Sequence, residues 1–431
     1  MHLKQKRNSV FYGWWVVGAC ASIVICTAGV LHFGFTAILE PIAAEFGWSY
    51  AQISLAVSIR GLEIGLLAPL MGLLVDRWGP RKLLFGGTIG LGLSLVLLGS
   101  INSLGMFYVA FALIAIASSA TGPTVTMTAV VNWFRKKVGI ATGILASGFG
   151  MGGLLVPVVV KSIDMFGWRK AMLIFGLGTW VIVLPLSLLV RHKPEQYGYL
   201  PDGEASSTVP FSQDVPSTPN GEADTGTKQI LKSSTFWHIA LAFMFLALML
   251  SAVLTHIMPY LSSIGMTRSI AGLMASVLPL ASIGGRLVFG WLGDRLDKRR
   301  VAAIGFALTG LGLLFFASAT TRQIWLLVPF LILFGTGWGG NVTMRAALVR
   351  ERFGRGRFGT VHGFVIGVMM LGNITGAPVA GWVFDTWGSY HGVWLTLAGL
   401  AIVAVMMVLT TPPLKATIEP VDRTVASQGT M

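Results

Sequence analysis

Twelve apolar stretches, each about long enough to cross a bilayer as a helix, recur along this chain of 431 residues. A helix needs about 20 apolar residues to span the hydrocarbon core. Segments of that kind lie near 13–38, 51–75, 82–101, 105–130, 139–161 and 171–190. A second set lies near 236–258, 270–293, 301–319, 324–347, 359–384 and 391–411. Lipid leaves unpaired backbone groups unsatisfied, so these stretches are expected to be helical throughout. Charged residues make up only 11% of the chain, against about 25% in average proteins, which excludes a soluble fold of this size. The expected class is an all-α membrane protein of twelve transmembrane helices.

The net charge of +14 would suggest nucleic acid in a soluble protein, but the position of the charge excludes that partner here. About three quarters of the 31 Lys and Arg fall in the termini and the even-numbered connections. Arg77, Arg81 and Lys82 form one such cluster; Arg135, Lys136 and Lys137 form another, as do Arg350, Arg352, Arg355 and Arg357. The positive-inside rule assigns these connections and both termini to the cytoplasm, making this a multi-pass cell-membrane protein. The N-terminal basic stretch precedes an apolar run too long for a signal-peptide core, so it reads as an uncleaved first span. Cys20 and Cys26 share that span and match no metal or disulfide framework. They read as packing residues, and neither metal nor cofactor is expected.

Residues 191–235 interrupt the pattern with Pro, Gly, Ser and Thr and read as a flexible linker. They separate an N-terminal bundle (1–190) from a C-terminal one (236–411), followed by a tail (412–431). The two halves echo each other. Gly72-x3-Asp76-Arg77 recurs as Gly290-x3-Asp294-Arg295, 218 positions later, and Pro41 and Gly47 recur as Pro259 and Gly265 at the same offset. Pro157, Asp164 and Gly167 recur as Pro378, Asp385 and Gly388, shifted by 221. Paired halves of this kind place a substrate site near the bilayer midplane, between the repeats.

Gly72-x3-Asp76-Arg77-x-Gly79-Pro80-Arg81-Lys82 resembles the loop motif of the major facilitator superfamily, between its second and third spans. Gly290 to Arg299 is its weaker echo. Within that superfamily, Tyr12-Gly13-Trp14-Trp15 resembles the monocarboxylate porter and oxalate/formate antiporter group. The stretch from Trp133 to Gly143 resembles the same group, and Lys193 to Gly203 is similar to bacterial members. The resemblance implies a twelve-helix transporter of a small carboxylate, coupled to protons, acting as a monomer and doing no covalent chemistry. It also implies that Gly72, Asp76, Arg77, Arg81, Asp294 and Arg295 form a latch for one access state. Asp76 suits the positive end of a helix.

Charges inside the membrane point to function because each costs at least about 2.5–3.5 kcal/mol at mid-bilayer unless paired or hydrated. Arg60 and Glu63 in the second span are three apart and able to neutralise each other. Arg286 in the eighth span has no carboxylate at such spacing, and its planar fork fits an external carboxylate. The resemblance implies the same role, since the group uses an arginine of its eighth span. A structural pairing of Arg286 with Glu63 or with helix carbonyls is the competing reading.

Two departures from the group stand out. Animal-type members carry an aspartate four residues before that arginine, where this chain has Ser282, and a lysine in the first span, where it has His32. His32 is a candidate substrate contact and proton carrier, because histidine titrates near neutral pH; Glu63 with Arg60 is a second candidate. Asn341 and Asn373 are candidate hydrogen-bonding contacts or helix ties, whereas His256 and His362 near span ends read as structural or solvated. Oxalate-type antiporters use a lysine of the eleventh span, and residues 361–385 contain none, which favours a monoanion over dicarboxylate exchange. Nitrate-type porters place arginines in the second and eighth spans. Arg60 lies sixteen residues before Asp76, however, and Arg286 eight before Asp294, so the two are not equivalent. A membrane sensor without transport is the remaining alternative. The glycines of Gly335-x-Gly337-x-Gly339-Gly340, and Gly122-Pro123, are expected to bend helices or let them touch.

Overall fold

The computed structural model describes residues 11–34, 36–48, 50–203, 227–266 and 268–411. Side chains within 53–64, which include Arg60 and Glu63, lie outside the described set. Among the described residues there are helices and no strands.

The first span is α1 (Tyr12–Thr27), continued by a π-helical turn (Ala28–Phe33) and followed by α2 (Thr36–Phe46). The second and third are α3 (Tyr50–Trp78) and α4 (Pro80–Gly99). The fourth is broken into α5 (Leu104–Thr121) and α6 (Pro123–Trp133), because Gly122 is extended and Pro123 restarts the helix. The fifth is α7 (Val138–Met151), a 3-10 turn (Gly152–Leu155) and α8 (Val156–Phe166); the sixth is α9 (Trp168–Leu189). A short α10 (Thr227–Lys232) leads into the second half. There α11 (Ser234–Ser263), α12 (Arg268–Arg295), α13 (Lys298–Ala317), α14 (Leu327–Phe353), α15 (Phe358–Trp387) and α16 (His391–Leu409) follow in turn.

Ten spans among the described residues are long and apolar enough to cross a membrane. The helices α3 and α12, of 29 and 28 residues, bring the bundle to twelve. Its outside is apolar, with Leu66, Leu93, Val181 and Ile402 exposed, as expected where lipid replaces water as solvent.

The packing repeats between halves. In the first half α4 packs on α5 and α9, and in the second α13 packs on α14 and α16. The halves meet along two seams, α3 with α15 and α12 with α7. Both seams are lined by glycines. A Cβ on Gly72 would lie 2.2 Å from the Gly359 carbonyl, and one on Gly139 would lie 2.2 Å from that of Gly290. Only a residue without a side chain lets these backbones touch. The glycines of α14 act the same way. The helix runs unbroken through them, with Gly339 against the Ser282 backbone and Gly340 against the Phe289 ring. They form a packing seam along an unbroken helix.

The expected linker begins with an ordered stretch. Asp202 accepts hydrogen bonds from the backbone N–H groups of Arg135 (2.8 Å), Lys136 (2.6 Å) and Lys137 (3.4 Å). Glu195 pairs with Arg355 at 2.7 Å. Residues 191–203 are therefore pinned to both halves at the end of the bundle that carries the basic connections, the basic end.

Candidate functional site

At the basic end each half offers a carboxylate to the other. Asp76, in the last turn of α3, accepts from the Gly359 N–H (3.0 Å), the Thr360 N–H (2.7 Å) and the Thr360 hydroxyl (2.7 Å). Asp294, in the last turn of α12, accepts from the N–H groups of Gly139 (2.5 Å) and Ile140 (2.8 Å). Both acceptors sit at helix N-termini, where first-turn N–H groups lack partners and the helix dipole favours negative charge. Both carboxylates lie just past the ends of their apolar spans. Burial pushes the Asp76 carboxyl up to about 6, against the opposing pull of the Thr360 and Gly359 hydrogen bonds and of Lys193. Burial raises Asp294 as well, opposed by its two backbone donors and Lys298. The rest of the motif is looser. Arg77 and Arg81 are exposed and form no ion pair with any described residue. The Arg295 guanidinium lies 4.1 Å from the Trp291 ring centroid.

Along the α12–α7 seam, two turns further into the membrane, lies Arg286. It is 3% exposed. One terminal nitrogen donates to the carbonyl of Ala146 on α7, and the guanidinium lies 5.8 Å from the Trp338 ring centroid. Its Nε has no hydrogen-bond partner, and among the described residues no carboxylate pairs with it. Gly143 allows this approach: a Cβ there would lie 2.6 Å from the Arg286 carbonyl. Arg286 therefore bridges the two halves through a helix carbonyl, with donor capacity left over. Ser282, at the position of the group's aspartate, is buried and donates to the Pro279 carbonyl of its own helix (2.6 Å).

His32 lies in the π-helical turn of the first span, exposed, its ring 4.9 Å from that of Phe149 on α7. His32 and Arg286 thus border the same short stretch of α7, Ala146 to Gly150. Asn341 does not join them. Asn341 is fully buried with its side chain towards Gly305 of α13, and both its polar atoms lack partners. Asn373 is exposed, and its backbone carbonyl accepts from Ser251 of α11 (2.7 Å). The Arg60–Glu63 pair lies outside the described side chains. His256 ties α11 to its neighbours through Tyr390 (3.0 Å) and the Ala377 carbonyl (2.9 Å).

Sequence reasoning passes over one buried cation and leaves a nearby histidine open between a structural and a solvated role. Arg345 on α14 is 8% exposed, and His362 on α15 is fully buried rather than solvated. Arg345 falls inside the apolar stretch 324–347, so the cost of intramembrane charge marks it as firmly as Arg286. Its closeness to Arg350 and Arg352 conceals it among loop cations.

Comparison with known proteins places this geometry. The family model described as "Major Facilitator Superfamily" matches residues 19–267 and again 245–427. The chain is 28% identical over 402 residues to monocarboxylate transporter 12 of Xenopus laevis, covering 91% of this chain and 86% of that one. It is 22% identical over 379 residues to the oxalate:formate antiporter of Oxalobacter formigenes, covering 87% and 86%. Among solved structures, the fucose:proton symporter of E. coli superposes with a TM-score of 0.71 at 14% identity, covering 94% of this chain and all of that one. A human organic anion transporter superposes at 0.66 and 14% identity, covering 92% and 98%.

Proposed function

Because the chain belongs to the major facilitator superfamily, we propose that it is a secondary transporter of a small monocarboxylate, moving its substrate together with a proton by alternating access. The observation that carries this reading is Arg286. It is a buried guanidinium between the halves, without a carboxylate partner among the described residues, resting against Trp338 and one carbonyl. A substrate carboxylate completes its hydrogen bonds and neutralises its charge, and an aromatic face beside it suits a short apolar substituent. A single fixed cation at this depth among the described side chains favours a monoanion. Relatives with names of the same kind, monocarboxylate transporter and oxalate:formate antiporter, support the substrate class.

The basic end is the cytoplasmic one by charge, which puts both termini in the cytoplasm of a cell membrane. Two six-helix bundles, 1–190 and 236–411, rock about the central site. Asp76 and Asp294 are the latches that hold the cytoplasmic side shut, so this structure represents the state closed to the cytoplasm. Opening requires both seams to part and both carboxylates to leave their helix ends. His32, beside the α7 stretch that Arg286 touches, carries the coupled proton.

The test is uptake of labelled lactate, pyruvate, acetate, formate, oxalate and nitrate into proteoliposomes, with and without an inward proton gradient. The reading expects gradient-driven uptake of monocarboxylates and little of oxalate or nitrate. Oxalate uptake that ignores the gradient and requires formate inside would replace symport by exchange.

A further inference from the structure

The Arg345–His362 pair has no place in the function proposed so far, and its chemistry is unusual. Arg345 follows Trp338 by seven residues on α14. Seven residues make two helical turns, so the two share a face and Arg345 sits about 10 Å nearer the cytoplasm. Trp338 is the ring beside Arg286, so Arg345 continues the line of that site inward. Its terminal nitrogen donates to the thioether of Met369 on α15 at 2.9 Å, and its Nε has no partner. No described carboxylate pairs with it. His362 precedes Met369 by seven residues and so shares its face of α15. Its ring stacks on Phe358 (centroids 5.1 Å apart, 15° between planes), and both ring nitrogens are buried without a hydrogen bond.

A structural role accounts poorly for this arrangement. A thioether is a weak acceptor and does not offset the burial of a guanidinium. A buried imidazole with neither nitrogen bonded is rare in native structures. A methionine or leucine at position 345 would fill the space without burying a charge. What the two offer is a guanidinium and an imidazole N–H buried along α14 and α15, helices that both touch α6 of the opposite half.

We propose that Arg345 and His362 form a second anion station on the cytoplasmic half of the pathway, taking the carboxylate of a small monoanion as it leaves Arg286. The guanidinium supplies the charge and the imidazole N–H one further hydrogen bond. The station is shut in the present state and opens when the latched seams part. The proposal rests on the reading of Arg286 as substrate contact, and its test separates the two.

The test is anion protection of a thiol placed beside the station. Met369→Cys is made in full-length protein whose Cys20 and Cys26 are replaced by alanine, with Asp76→Ala and Asp294→Ala added to open the cytoplasmic end. An impermeant thiol reagent is then applied with and without pyruvate, formate or nitrate. Pyruvate near ten times its dissociation constant is expected to slow modification about tenfold. That protection survives Arg286→Met and disappears with Arg345→Met; Arg345→Lys restores part of it. Formate protects as pyruvate does, and nitrate less.

Protection that persists in Arg345→Met overturns the station. So does protection lost in Arg286→Met, which assigns the effect to the central site and leaves that reading intact. A thiol that never reacts once the latches are removed shows that the position is off the pathway and also overturns the proposal. Loss of folding in both Arg345→Met and Arg345→Lys, judged by the absence of a monodisperse size-exclusion peak, makes Arg345 a scaffold residue and overturns it too. Protection by the station alongside undiminished transport in Arg286→Met would instead sink the central reading and keep the station.

Discussion

The two seams between the halves are built on one plan and used differently. Each ends in a carboxylate set on the first turn of a helix from the other half, with glycines letting the backbones meet behind it. The α12–α7 seam then runs inward to Arg286, whose guanidinium reaches across to Ala146. Over its described side chains, the α3–α15 seam runs inward through Ala68, Pro69 and Gly363 to Gly65 against Met370, a purely apolar contact. The halves thus carry paired clamps, and among the described side chains a buried cation lies along only one of the two seams. In the proposed account, closing force is shared between the seams while anion recognition at the central site belongs to α12.

The largest effect expected from this comparison comes from the glycines. Gly72→Ala and Gly139→Ala each drive a Cβ to 2.2 Å from a backbone carbonyl, where nothing flexible yields. Overpacking of this kind costs about 1–3 kcal/mol, or about five- to 150-fold in the closed population, read as faster labelling of a thiol at the cytoplasmic end. Gly359→Ala meets the Val75 side chain (2.4 Å), which is able to turn, but also Asp76 Oδ1 (2.6 Å) and the Gly72 carbonyl (3.0 Å), so it strains the backbone contact less than Gly72→Ala while disturbing the Asp76 clamp itself.

Next come the carboxylates. Asp76 holds three donors and Asp294 two. Hydrogen bonds to charged groups contribute about 1.5–3 kcal/mol, so Asp76→Ala is expected to open the protein about tenfold or more, with Asp294→Ala somewhat weaker. Asp76→Asn keeps an acceptor and loses a charge that burial already disfavours, so it retains part of the closure. Equal effects of Asp76→Ala and Asp294→Ala would remove the asymmetry. The two sites share no hydrogen-bond partner, so the double variant should add the single effects within about 0.5 kcal/mol.

Smallest are the motif arginines. Arg295→Ala loses an exposed cation–π contact of about 0.5–1 kcal/mol, while Arg77→Ala, exposed and without an ion partner among the described residues, is expected to change labelling less than twofold. A large effect of Arg77→Ala would show that the motif acts through charge as well as through Asp76.

Much of this is readable in the chain. Apolar length gives the twelve spans, because lipid admits few other backbone arrangements. The offset of 218 between Asp76 and Asp294 announces paired features, which the structure places at paired helix ends. Helical phase is not readable to that precision. Asn341 is three residues beyond Trp338 on α14, yet it points to Gly305 while Trp338 lies beside Arg286. One turn of helix decides between the two, and the phase depends on which neighbour the glycines of α14 admit. Arg345 escapes notice for a different reason, since a cation near a basic loop is indistinguishable by composition from one inside the bundle. For His362 the sequence leaves a structural and a solvated role both open, because distance from a span end does not report burial by other helices.

The most direct test of the central claim is counterflow of labelled pyruvate in proteoliposomes holding full-length wild type, Arg286→Ala or Arg286→Lys. Counterflow needs no driving ion, so it isolates recognition from coupling. The account predicts counterflow for wild type, the empty-liposome level for Arg286→Ala, and a weak signal at raised KM for Arg286→Lys, which keeps the charge but loses the fork. Wild-type counterflow in correctly folded Arg286→Ala would contradict it and remove Arg286 from the site.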